Sequence, residues 1–245
     1  MNSFKIIPVI DILNSKAVHA IKGERNKYKP LKSPFFKSTN PIKIIKLFHN
    51  KYNFNEFYIA DLDSILKKKP NFRILKKILN ITNMNLIIDP GIVNFEDVLK
   101  FSKYKFKALI LGLETIKNID IISQSLKILG PNKVIVSIDM FKGAIISNDK
   151  ELTNQDPLTV IKKIQTLGVK EIILLDLYRV GQKLGGIPCL YTEVLLNYSG
   201  SIYVGGGIKN FNDLLLYKEQ QFSGVLLATA LYDGTINIEK IRIFQ

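Results

Sequence analysis

Short apolar runs rich in β-branched residues alternate with longer amphipathic stretches along the whole chain. Runs at 4–10, 56–60, 85–88, 108–111, 133–138, 171–175, 201–204 and 224–227 have the length and composition of strands. Helical spacing covers 41–52, 71–79, 94–104, 119–129, 157–167, 190–197 and 210–220, and 237–243 forms a last helix. Asn40-Pro41 and Asp156-Pro157 put a capping side chain ahead of proline at the first helical position. Gly130 and Gly168 fall just past helix ends, where a left-handed residue is wanted.

Strands that alternate with helices make a parallel sheet. Val134-Ile135-Val136 and Ile172-Ile173-Leu174-Leu175 are continuous apolar runs, as strands buried on both faces require. Eight such units predict one α/β domain over 1–245, a (β/α)8 TIM barrel. A doubly wound open sheet is the alternative.

The chain also repeats itself. Gly91-Ile92-Val93-Asn94-Phe95 returns 116 positions later as Gly207-Ile208-Lys209-Asn210-Phe211. The same spacing carries Ala108–Gly112 onto Gly224–Ala228. Looser echoes set Pro8-Val9-Ile10-Asp11 against Val136-Ser137-Ile138-Asp139, and Ala60-Asp61-Leu62 against Leu175-Asp176-Leu177. A twofold half-barrel repeat follows, with 1–116 and 117–245 as its halves.

Chemistry-bearing residues gather at the strand ends. Asp11 and Asp139 close strands one and five in equivalent positions, which suits a general acid and a general base on one substrate. Gly91, Gly206 and Gly207 lie in turns whose backbone N–H groups can approach an oxyanion. Gly112 and Thr115 follow strand four as Ala228 and Thr229 follow strand eight. Two copies imply two phosphate sites and a long bisphosphorylated ligand. Asp61, Asp63 and Asp176 either position substrate or hold their own loops. His19 lies in the long loop after strand one, and His49 on an outer helix face. No His/Cys set has metal-ligand spacing, so no structural metal is expected. P-loop and nucleophile-elbow patterns are missing from the sequence.

Composition changes this picture little. Forty-seven per cent of the 245 residues are hydrophobic, enough for a large core. The net charge of +14 is scattered over helix surfaces, and its longest run is Lys67-Lys68-Lys69, so no nucleic-acid partner is expected. No uncharged apolar stretch reaches about 18 residues, and Cys189 is the single cysteine. A cytoplasmic, soluble protein without membrane association is the expectation, as a monomer or small homo-oligomer.

Together Ile6–Asp11, Tyr58–Asp63, Pro90-Gly91-Ile92, Val136–Asp139 and Gly205–Ile208 resemble the histidine-biosynthesis barrel family over essentially the whole chain. The resemblance implies that Asp11 and Asp139 are acid and base, and that the glycine loops hold two terminal phosphates. It also implies an Amadori-type aldose–ketose isomerisation that needs no cofactor. His19 matches the family's basic residue after strand one, and His19, Asp61 and Asp176 would position substrate. The chain departs from the pattern at Leu175, where the isomerases carry Thr, at Ala228, where they carry Gly, and in having no Trp. The insert at 23–33 is similar to archaeal and methylotroph paralogues of the isomerase. An enzyme acting on another phosphorylated sugar or imine, and a non-catalytic phosphate-binding barrel, are the alternatives.

Overall fold

The computed structural model describes residues 4–81, 84–241 and 244. Eight parallel strands run in chain order: β1 (Lys5–Leu13), β2 (Glu56–Asp61), β3 (Asn85–Asp89), β4 (Ala108–Gly112), β5 (Val134–Phe141), β6 (Glu171–Asp176), β7 (Ser201–Gly205) and β8 (Gly224–Leu227). β8 pairs with β1, Lys5 opposite Gly224, so the sheet closes into a (β/α)8 barrel. Helices α1 (Pro41–Tyr52), α2 (Phe72–Leu79), α3 (Phe95–Phe101), α4 (Asp120–Leu129), α5 (Pro157–Thr166), α6 (Cys189–Asn197) and α7 (Phe211–Glu219) cover the outside. Among the described residues no helix is long and apolar enough to cross a membrane.

Each strand places at least one side chain in the buried cluster that fills the barrel, among them Ile7, Tyr58, Ile87, Ile110, Ile135, Ile173, Tyr203 and Leu226. A larger buried layer, which includes Phe48, Leu109, Val136 and Leu174, joins the outward strand faces to the helices. The layering explains why the strands are apolar throughout. Asn40 accepts from the Ile42 and Lys43 N–H groups and Asp156 from that of Thr159, as their positions ahead of proline predict.

The twofold repeat extends to hydrogen-bond register. Ile87 faces Ala108 between β3 and β4, and their repeat mates Tyr203 and Gly224 face each other between β7 and β8. Asp11 faces Ala60 as Asp139 faces Leu175. Leu109 faces Val134 across one seam between the halves, and Val225 faces Ile6 across the other. The capping box of Asn94 and Asp97 recurs as Asn210 and Asp213.

Several details differ from the sequence reading. β1 and β5 run past Asp11 and Asp139 and fold back as hairpins with Lys16–His19 and Ala144–Ile145, so both aspartates lie inside strands. His19 therefore stands on a hairpin strand, paired with Lys29, rather than in irregular loop. A short helix at Leu62–Lys67 has no counterpart in the periodicity, being too brief to show one; Asp61 caps it. The last helix spans Ile238–Ile241, and 242 and 243 lie outside the described residues.

Candidate active site

The C-terminal strand ends surround a cleft of about 950 Å³ that is continuous with solvent. Asp11 reaches it from β1, Tyr58 and Ala60 from β2, Asp89 from β3, and Leu175 from β6. Gly205 to Ile208 and Leu226 to Ala230 form the wall at β7 and β8.

Asp11 is half-buried, and among the described residues no donor reaches its carboxylate. Burial, with a smaller push from the Asp89 charge, raises its pKa to about 7. Both protonation states are therefore populated near neutrality. Asp89 accepts from the Tyr58 hydroxyl at 2.7 Å and from the Gly91 N–H at 3.0 Å. The Tyr58 hydroxyl is held well above its usual pKa, first by burial and then by the Asp89 charge, so it stays a donor.

Asp139 is fully enclosed and does not line the cleft. It lies behind the turn after β4, where Glu114 does. One oxygen accepts from the Ser137 hydroxyl at 2.7 Å, the other from the Glu114 N–H at 3.1 Å. Burial raises its pKa, the Glu114 charge adds to this, and the two donors oppose it. Gly112 is what leaves room for this carboxyl, since a Cβ there would stand 3.0 Å from an Asp139 oxygen. The two aspartates thus occupy repeat-related positions in unlike surroundings.

The two expected phosphate ends are not alike. At β7 and β8, Gly206, Gly207, Ala228 and Thr229 all face the cleft, and both glycines take positive φ. His19 Nε2 lies 2.9 Å from the Thr229 hydroxyl, which brings that histidine to the same end. Burial holds its pKa below the usual range. Lys183 lines the cleft here and pairs with Asp233. Arg179 is packed against Gly207, its guanidinium donating to the Gly185 and Gly186 carbonyls. At β3 and β4, Gly91 is buried against Ile65, and the Thr115 hydroxyl donates to the Gly112 carbonyl. Gly91, Gly112 and Thr115 do not line the cleft.

Asp61, Asp63 and Asp176 hold loops. Asp61 accepts from the Ser64 and Asn71 N–H groups. Asp63 accepts from Asn14 N–H and Asp176 from Lys142 N–H, and each donor sits at positive φ at the tip of its hairpin. Neither Asp61 nor Asp176 faces the cleft, so the structure does not gather them with Asp11.

Sequence reasoning passed over Tyr58, Asp89, Glu114, Ser137 and Arg179. The repeat carried the signal for two of them: Asp89 stands where the second half has Gly205, and Glu114 where it has Ala230.

The closed eight-stranded barrel, with its cleft and glycine wall at the C-terminal mouth, defines a TIM-barrel protein. The chain belongs to the family described as histidine biosynthesis protein, which matches residues 5–237. An uncharacterized protein of Methanocaldococcus jannaschii is 34% identical over 239 residues, 97% of each chain. A 1-(5-phosphoribosyl)-5-((5-phosphoribosylamino)methylideneamino)imidazole-4-carboxamide isomerase of Lactococcus lactis is 29% identical over 239 residues, 96% of this chain and 97% of that one. The enzyme of the same name from Methanococcus maripaludis is 28% identical over 237 residues, 96% of each.

Proposed function

We propose that this barrel is an aldose–ketose isomerase of the Amadori type acting on a phosphorylated aminoaldose. The observation that carries the reading is the pair of burial-shifted carboxyl groups, Asp11 and Asp139, on repeat-related strands of one mouth. Opening the sugar ring needs a proton on the ring oxygen, and rearrangement needs one removed from the neighbouring carbon. Asp139, whose proton is held by burial and the Glu114 charge, is the acid, and it reaches substrate only when the turn that carries Glu114, which separates it from the cleft, gives way. The Ser137 hydroxyl supports either state of it, since a hydroxyl both donates and accepts. Asp11, partly ionised near neutrality, is the base. Protons enter and leave without net oxidation, so the chemistry calls for neither metal nor organic cofactor. A phosphate rests against Gly206, Gly207, Ala228 and Thr229, with His19 fixing the Thr229 hydroxyl. The isomerase names of the relatives support the reading.

A second reading is a paralogue that runs the same proton chemistry on another phosphorylated sugar or imine. Leu175 favours it, for it presents an apolar side chain to the cleft beside Gly205, where a hydroxyl would meet a polar substrate. The test follows anomeric protons by NMR while the protein is incubated with the doubly phosphoribosylated imidazole carboxamide and with phosphorylated glycosylamines. Turnover of any of them, lost in Asp11→Asn and Asp139→Asn by about 10²–10⁴-fold, is expected. Near wild-type kcat in both variants would overturn the acid–base assignment.

A further inference from the structure

We infer that the amine of the substrate carries a flat, apolar ring, an aryl group, which lies across the mouth between β2 and β6. The inference rests on the aminoaldose reading above and deepens it. It departs from the isomerase relatives, whose named substrate carries a carboxamide and a second phosphoribosyl group beyond the amine.

β2 and β6 stand opposite each other in a closed ring of eight strands. Each strand end sends two alternate residues into the cleft, Ala60 and Leu62 on one side, Leu175 and Leu177 on the other. The two pairs are repeat mates, and Ile65 and Val180 extend the two walls. The carboxylates interleaved with them, Asp61, Asp63 and Asp176, turn to loop N–H groups and stay out of the cleft. None of the six wall side chains can hydrogen-bond a ligand. Leu62 and Ile65 belong to the cluster that fills the barrel, and Leu175 and Tyr28 pack against it, so core-like surface continues up into the mouth.

The walls are fixed by their neighbours. Leu175 faces Gly205 between β6 and β7, where a Cβ would stand 2.8 Å from a Leu175 methyl carbon. In the first half the sizes are exchanged, with Ala60 facing Asp89. A Cβ on Gly23 would stand 3.1 Å from a Leu177 methyl carbon, and the Lys22 N–H donates to the Val180 carbonyl at 3.0 Å. Walls held in this way lose little freedom when a ligand enters. The strip also runs beside both acids, since Ala60 faces Asp11 and Leu175 faces Asp139 in the strand ladders. A sugar hydroxyl laid on the strip would give up its water and gain no partner. A ring would instead withdraw apolar surface from water on both of its faces. The sugar carbons therefore lie beside Asp11 and Tyr58, and the ring lies against Leu175 and Leu177.

Reductive amination of ribose 5-phosphate with aniline or with ethanolamine gives two stable probes that differ only in the group on the amine. In calorimetric titrations of the full chain the aniline-derived probe should bind at least about tenfold tighter, the low end of what burying a ring yields. Leu175→Thr, and separately Leu177→Ala in the loop, should each cut that ratio at least about fourfold, the worth of one buried methylene. Melting curves show that each variant has folded. Equal binding of the two probes, tighter binding of the ethanolamine-derived one, or no binding of either would overturn the inference. A preference that survives undiminished in both folded variants would put the ring elsewhere and overturn it as well. The isomerase reading fails separately. A clear aryl preference with no turnover of any phosphorylated glycosylamine would remove the isomerase and leave the aryl site, and turnover with no aryl preference would do the reverse.

Discussion

Replacing Asp11 by Asn tests the site through stability as well as rate. The folded-state pKa of Asp11 is about 7, against about 3.8 for a solvated aspartate. The native state therefore binds this proton more tightly than the unfolded chain does. Below about pH 4 both states are protonated and the carboxyl carries no penalty. As pH rises towards 7 the unfolded chain ionises while the native one resists, and stability falls. A rise of that size corresponds to about 4 kcal/mol, a ceiling because the residue keeps some contact with solvent. Asn has nearly the same shape and never ionises. Asp11→Asn should thus unfold at higher urea than the wild type at about pH 8, by about 1–4 kcal/mol, and match it near pH 4. Its kcat should fall by about 10²–10⁴-fold over the same range. A variant no more stable than the wild type at pH 8 would refute the burial argument, for it would mean that Asp11 is ionised and well solvated.

Other outcomes follow from the same geometry. Ser137→Ala removes a donor that favours ionised Asp139, so the pH profile of kcat should move its Asp139 limb to higher pH. Gly91→Ala puts a Cβ 2.7 Å from an Ile65 side-chain carbon at φ +65°, and denaturant melts should show a loss of at least about 2 kcal/mol. Tyr58→Phe removes the hydroxyl donor to Asp89 in a part-buried setting, a loss of about 1–3 kcal/mol in the same melts. Asp61→Ala frees two backbone N–H groups and should cost about 1–2 kcal/mol, as a lost helix cap does.

The barrel was legible because its periodicities are long and its repeat is explicit. Val134–Ile138 can bury both faces only in a parallel sheet, and Gly91 and Gly207 mark equivalent turns. The repeat-related positions of Asp11 and Asp139 were legible for the same reason. The helix reading over 94–104 ran three residues too far, because Ser102 turns back and its hydroxyl donates to the Leu99 carbonyl. The roles of Asp61 and Asp176 were beyond sequence, since a carboxylate that grips a loop and one that faces a substrate have the same letter. The occupied donors at β3 and β4 also escaped it. Gly91 looks available as a glycine in a turn, and only the side chain of Asp89 beside it shows otherwise.

The matching register across the two seams has a consequence for how the chain assembles. The free edge of β8 meets the same backbone pattern on β1 as the edge of β4 meets on β5. Ladder hydrogen bonds alone give a folding chain no address for either seam. The address is supplied by what the repeat does not share. The β1 hairpin sends His19 to Thr229, Ala17 to the Thr39 carbonyl and Lys22 to the Val180 carbonyl. The shorter β5 turn instead packs Asn148 and Asp149 onto the segment after β4. The loops that shape the mouth therefore also act as the keys that tell one half of the barrel from the other.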